Sequence, residues 1–310
     1  MKVIFAGTPD FSVYVLNALI DAGHEVCAVY TQPDRPKGRG RKLALSAVKE
    51  AALKHGLVIY QPKSLKGKAE QAEIAALNAD IMVVVAYGLI LPKVILELPK
   101  LGCLNVHASL LPKYRGASPL QAAILNGDRQ SGVTIMQMDV GLDTGDMILK
   151  KHCLIGENDS VQTLHDSLAV LGGEGIVEAL SAIEDNRAVF EKQDDTQANY
   201  AGKIKKEDAR MDWSKSSQTL HDQVRAYHGW PVSHSLLDEM VVRIWQAERA
   251  DNKQGLPGQI LEVEKDSLII ACSEGALSIK KIQLPNSKPM AIKDCLNSKR
   301  ALFVVGERFH

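Results

Sequence analysis

The sequence predicts an α/β protein: a doubly wound, mainly parallel sheet with helices on both faces, followed by a small β-rich barrel. Three observations carry this. Up to about residue 185, short apolar runs rich in β-branched residues alternate with segments whose apolar residues recur every three or four positions. Apolar strands separated by helices are what a parallel sheet covered on both faces requires. Residues 186–206 are polar with weak periodicity, which reads as a linker. From 207 onward, one helical pattern gives way to short strands separated by turn residues. At 310 residues the chain has room for two domains. The predicted division is 1–185, a linker over 186–206, and 207–310.

The elements follow in order. VIFA (3–6) is the first strand, and GTPDF turns it into the amphipathic helix FSVYVLNALIDAG. EVCAVYT (25–31) is the second strand. A basic Gly- and Pro-rich loop leads to the helical pattern ALSAVKEAALKHG, then to strand LVIY (57–60) and helix AEQAEIAALN. DIMVVVAYG (80–88), CLNVHAS (103–109) and VTIMQMD (133–139) are further strands, and residues 160–184 make one or two closing helices. In the last third, SKSSQTLHDQVRAYHG is helical. VVRIWQA and GQILEVEKDSLIIACSEGALSIKKIQL supply strands with turns at EKD and SEG.

Composition narrows the function. The chain is 45% hydrophobic and 24% charged, with no run of about 18 apolar residues that would span a membrane. Its start, MKVIFAGTPDF, reads as a strand and not as a secretory leader. Five cysteines without a CxxC pair predict buried free thiols in a reducing cytoplasm, and no zinc site. The 37 basic and 37 acidic residues cancel, so contact with nucleic acid must rest on local patches. Residues 203–310 carry 17 Lys and Arg against 14 Asp and Glu, a modest excess that permits an RNA-facing second domain.

The chemistry concentrates in NVHASLLPKYRGASP (105–119). Asn105 and His107 lie at the carboxyl end of a strand, where open α/β sheets bind ligands, and their spacing points them the same way. The proline at 112 ends the strand, and Ser118-Pro119 suits a helix start. An amide donor beside an imidazole suits acyl transfer: one binds a developing oxyanion, the other stabilises it or moves a proton. The same residues would also serve to satisfy backbone groups at a strand end. The next loop, VGLDTGDM (140–147), brings Asp143 and Asp146 from what reads as an adjacent strand end. Asp143 could orient His107 or carry a proton; both could equally be turn formers, and a carboxylate metal site has few further ligands.

At this point the motifs FAGTPDF (5–11), TQPDRPKGRGRKL (31–43), VVAYGLILP (84–92), NVHASLLPKYRGASP and TIMQMDVGLDTGDM (134–147) align with a known family. With ARMDW (209–213) and the tail LNSKRALF, the chain resembles the methionyl-tRNA formyltransferases along nearly its whole length. The resemblance implies a Rossmann-like catalytic domain and an OB-like C-terminal barrel that binds tRNA. It implies transfer of a formyl group from 10-formyltetrahydrofolate to methionine on initiator tRNA, without a metal. By family motif, Asn105, His107 and Asp143 are catalytic, and Ser109, Leu110, Leu111 and Pro112 contact the folate. It also places Arg35, Lys37, Arg39, Arg41 and Lys42 against the tRNA acceptor end. No protein partner is implied.

Other signals are weaker. FAGTPDF lacks GxGxxG and does not support a dinucleotide site. The basic loop QPDRPKGRGRK sets five cations against Asp34 on the ligand side of the sheet, where it can grip phosphates; its bland reading is a solvated, mobile loop. HGWPVSH reads as core and turn more than as a stacking platform. Two competing readings remain: a formyltransferase for a small amine, and a non-catalytic RNA-binding module.

Overall fold

The computed structural model describes residues 1–37 and 42–310. It divides into two compact units, Met1–Pro119 with Gln130–Cys153 and His165–Ala201, and Leu120–Arg129 with Leu154–Leu164 and Gly202–His310.

The first unit is built on β1 (Lys2–Gly7), α1 (Asp10–Asp21), β2 (Glu25–Tyr30), β3 (Arg35–Lys37), β4 (Lys42–Ala44), α2 (Ala47–Lys54), β5 (Ile59–Tyr60), α3 (Lys68–Ala76), β6 (Ile81–Val85), α4 (Lys93–Leu96) and β7 (Cys103–His107). The chain continues through β8 (Arg115–Gly116), α5 (Pro119–Leu125), β9 (Gln130–Gln137), β10 (Met147–Leu154), α6 (Val161–Glu184) and β11 (Tyr200–Ala201); α5 beyond Pro119 and the first turn of α6 fall in the second unit. The main sheet has the order β10-β9-β7-β6-β1-β2-β5. From β1 the chain builds outward through β2 to β5, then returns beside β1 and builds the other way. That reversal puts the crevice at the carboxyl ends of β1 and β6. All five residues of β6 are buried, as a strand covered on both faces demands. Of residues 160–184, Val161–Glu184 form the single helix α6, and α5 opens at Pro119 as the Ser-Pro pair predicts.

Two expectations change. β9 runs antiparallel to β7, with His107 opposite Thr134 and Leu104 opposite Gln137. The end of β9 therefore lies at the wrong edge, and the loop carrying Asp143 must double back to reach His107. The predicted linker is also no free tether. From Glu191 to Ala201 it is hydrogen-bonded into the first unit; β11 pairs with β8, and Glu191 bridges Met147. Two of its polar side chains, Gln193 and Asn199, satisfy part-buried backbone groups at Asp143, Gly145 and Tyr114. Nor does the boundary fall at a single point: Arg225 Nη1 donates to the carbonyls of Gly156 (3.2 Å) and Asp159 (2.6 Å), holding residues 154–164 in the second unit.

The second unit contains α7 (Ser217–Ala226), β12 (His234–Leu237), β13 (Met240–Arg249), β14 (Ile260–Val263), β15 (Leu268–Ala271), β16 (Ala276–Gln283), β17 (Met290–Ala291) and α8 (Ile292–Lys299). Its antiparallel path β12-β13-β16-β15-β14 is an open half-barrel, with β17 paired to β16. The tail spans the opening. Phe309 bridges Leu237 on one edge, and Arg308 bridges Gln259 beside the other. Cys103, Cys272 and Cys295 are buried free thiols. Burial pushes Cys103 and Cys272 up to about 12, so neither is a thiolate at neutral pH. No helix among the described residues is long and apolar enough to cross a membrane.

Candidate active site

β7 lies between β6 and β9, so Asn105 sits in mid-sheet opposite Val84 on one side and Met136 on the other. Asparagine is disfavoured in such a position. Its side chain is half-buried and has no hydrogen-bond partner among the described residues. His107, two residues on, is buried and lies on the same face. Its Nε2 is 3.0 Å from the Tyr114 carbonyl, which can only accept, so that nitrogen carries a hydrogen. Nδ1 is left facing Asp143 Oδ2 at 3.7 Å.

The returning loop is held in place point by point. Asp139 Oδ1 accepts from Gly141 N (2.9 Å) and Thr144 Oγ1 (2.7 Å), closing the first turn. Gly145 passes so close to the Gln137 carbonyl that a Cβ would lie 1.8 Å from its oxygen. Asp143 itself adopts φ +56°, a left-handed conformation that aspartate tolerates better than most residues. Its Oδ2 accepts from Gly116 N at 2.8 Å. That donor is free because neighbouring amides alternate: Arg115 N and Ala117 N point the other way, to the carbonyls of Asn199 and Ala201. Asp146 joins the ladder through its carbonyl, which accepts from Gln137 N, and takes no place beside His107.

The predicted folate segment is partly consumed by the fold. Ser109 Oγ donates to Lys113 O (2.6 Å), and Ser109 O and Leu111 N both bond Thr134 Oγ1. Leu111 is buried with Met136 and Met147. Leu110 and Pro112 are half-exposed, so they and the backbone remain for a ligand. The neighbouring strand ends are tied together: the Tyr87 carbonyl accepts from Thr8 Oγ1 (2.9 Å) and Gln32 Nε2 (3.0 Å). Two cavities, of about 670 and 460 Å³, are lined around Val177 and around Trp213; neither includes Asn105, His107 or Asp143.

Of the basic loop, Arg39 and Arg41 lie outside the described residues. Arg35 and Lys37 lie on β3 and Lys42 on β4, an antiparallel pair with Arg35 opposite Ala44 and Lys37 opposite Lys42. The arms of the predicted loop are therefore strands. Their root is fastened by Lys49, whose Nζ donates to Asp34 Oδ2 (2.6 Å) and Gln61 Oε1 (2.7 Å), while Gln61 Nε2 donates to Asp34 Oδ1 (2.8 Å). In HGWPVSH, His228 meets the edge of Trp245, whereas Trp230 is 54% exposed in the turn. Sequence reasoning missed Arg115, Gln193 and Asn199, which brace this region. No local pattern marks them, because their partners lie tens of residues away.

A doubly wound, mainly parallel sheet followed by an antiparallel half-barrel is the build of a formyl transferase. Residues 1–180 match the formyl transferase family and residues 203–300 match the formyl transferase C-terminal domain. Proteins named methionyl-tRNA formyltransferase are similar throughout. The one from Pseudomonas syringae pv. syringae is 50% identical over 306 residues, covering 99% of this chain and 97% of its own. The one from Pseudomonas paraeruginosa is 52% identical over 307 residues, covering 99% of each. The chain belongs to the methionyl-tRNA formyltransferase family. Solved structures share the fold at lower identity. WlaRD, a sugar 3N-formyl transferase solved with dTDP and 5-N-formyl-THF, has TM-score 0.67 at 22% identity, covering 93% of this chain and 99% of its own. The methionyl-tRNA formyltransferase from Clostridium thermocellum has TM-score 0.56 at 17% identity, covering 82% and 95%.

Proposed function

We propose that the protein transfers the formyl group of 10-formyltetrahydrofolate to the amino group of methionine carried by initiator tRNA, in the cytoplasm. The observation that carries this reading is the Asn105 carboxamide, unpartnered in mid-sheet and two residues from a histidine with one nitrogen already engaged. An uncommitted donor at a sheet's carboxyl edge suits an oxyanion that exists only during reaction. The methionine amine attacks the formyl carbon and the carbonyl electrons move to oxygen, where Asn105 and His107 meet the charge. Collapse breaks the bond to N10 of tetrahydrofolate. The proton lost by the amine returns to N10 by way of His107 and Asp143. Because Tyr114 holds Nε2, the exchanging nitrogen is Nδ1, and a proton taken up there sits beside the Asp143 carboxylate.

The folate occupies the crevice beside Ser109–Pro112, touching Leu110, Pro112 and the backbone. Arg35, Lys37, Arg39, Arg41 and Lys42 meet phosphates of the tRNA acceptor end, and residues 203–310, with 17 Lys and Arg against 14 Asp and Glu, add further tRNA contacts. The test is formyl transfer from 10-formyltetrahydrofolate to methionyl initiator tRNA, run beside a nucleotide-linked amino sugar. Formylation of the sugar alone assigns the small-amine reading. Replacing Arg35 by Ala should lower the salt dependence of tRNA affinity by about 0.7–0.9 in log–log slope; an unchanged slope removes it from the phosphate contacts.

A further inference from the structure

We propose that Gln193 is a positioning residue for the reaction, holding the Asp143 loop from a segment fifty residues downstream. This rests on the catalytic reading of Asp143 given above. One carboxamide makes four bonds here. Its Nε2 donates to the carbonyls of Asp143 (2.8 Å) and Gly145 (2.9 Å). Its Oε1 accepts from Arg115 Nε (3.0 Å) and Nη2 (2.9 Å). That is every donor and acceptor a glutamine has.

The loop needs such a brace. It doubles back from an antiparallel strand, and its tip residues Val140 and Leu142 are 77% and 60% exposed, so their packing does little to fix it. Asp143 also sits at a backbone angle that surrounding contacts must enforce. Arg115 is a rigid anchor, buried at 2% exposure, with Nη2 also donating to Asp195 (2.7 Å). Desolvation works against its charge, and bonds to Tyr200 and Asp195 outweigh that, holding its pKa above the ordinary arginine value. The same stretch of chain reaches the histidine side. Asn199 Oδ1 accepts from the amide of Tyr114, the residue whose carbonyl fixes His107 Nε2. Residues 193–201 thus set the Asp143 loop, Gly116 and Tyr114 together.

Two variants of the full chain test this. Gln193→Glu keeps an acceptor for Arg115 and removes both donors to the loop; Gln193→Met keeps the length and removes all four bonds. Both should lower kcat about tenfold or more, with KM for either substrate within about twofold. Exchange of the Gly116 amide, which reports the Asp143 carboxylate independently of turnover, should quicken about tenfold. Wild-type kcat or undiminished Gly116 protection in Gln193→Glu overturns the proposal. So does loss of the folded state in both variants, which makes the residue structural. If the wild-type chain formylates no amine, the catalytic reading fails, while Gly116 exchange still decides whether Gln193 holds the loop.

Discussion

Asn105 and Asp143 show how differently two residues of the proposed site bear on stability. The Asn105 carboxamide has no partner among the described residues, so removing it breaks no bond and relieves a half-buried polar group. Asn105→Ala should therefore leave the unfolding free energy within about 0.5 kcal/mol of wild type while kcat falls about 10²–10³-fold. Asp143→Ala removes the acceptor of the Gly116 amide and leaves an ordinary residue at φ +56°. It should lower kcat by at least about 10²-fold and also cost about 1–3 kcal/mol of stability. Chemical unfolding beside steady-state kinetics separates the two. Equal stability losses in both variants would mean that Asn105 is tied into the fold after all.

The β3–β4 hairpin shows how an element can be anchored at its root by one ion pair. Hydrogen bonds from Lys49 and then Gln61 hold the Asp34 carboxyl below the ordinary aspartate range. The sign follows from that depression. The contribution is fully present above the unfolded value, about 3.9, and is lost as pH falls through the lower folded value. Asp34→Asn should thus be less stable than wild type at neutral pH, and the difference should shrink steadily below about pH 4. Unfolding measured across that range in both proteins checks it; a difference independent of pH would assign the effect to geometry and not to charge.

At the scale of the molecule, the second unit depends on its last residues. Leu236 and His310 exchange two backbone bonds, at 2.9 and 2.8 Å, and Phe309 N donates to Gly258 O at 2.8 Å. Phe309 is buried against the half-barrel core, its ring centroid 6.0 Å from that of Trp213. Phe309→Ala should destabilise this unit by about 3–5 kcal/mol. Deleting residues 307–310 should destabilise it further, because it also frees both sheet edges. Trp213 fluorescence in urea follows the second unit. A transition at the wild-type midpoint would show the tail to be dispensable.

Much of this was legible along the chain. The burial of β6, the α7 helix, the Ser-Pro start of α5 and the pairing of Asn105 with His107 on one face are all local, because period and turn chemistry act over a few residues. The Gly-rich loop itself offers Asp143 and Asp146, and the resemblance singles out Asp143, but its route to His107 does not follow from the sequence. Whether β9 ran parallel or antiparallel to β7 rests on contacts that no local pattern records. The same limit hid Gln193, Arg115 and Asn199. A polar run such as EKQDDTQAN has one composition whether its side chains meet water or buried carbonyls. Only folding brings Gln193 onto a loop fifty residues earlier, where satisfying two carbonyls of the Asp143 turn outweighs leaving that segment in solvent.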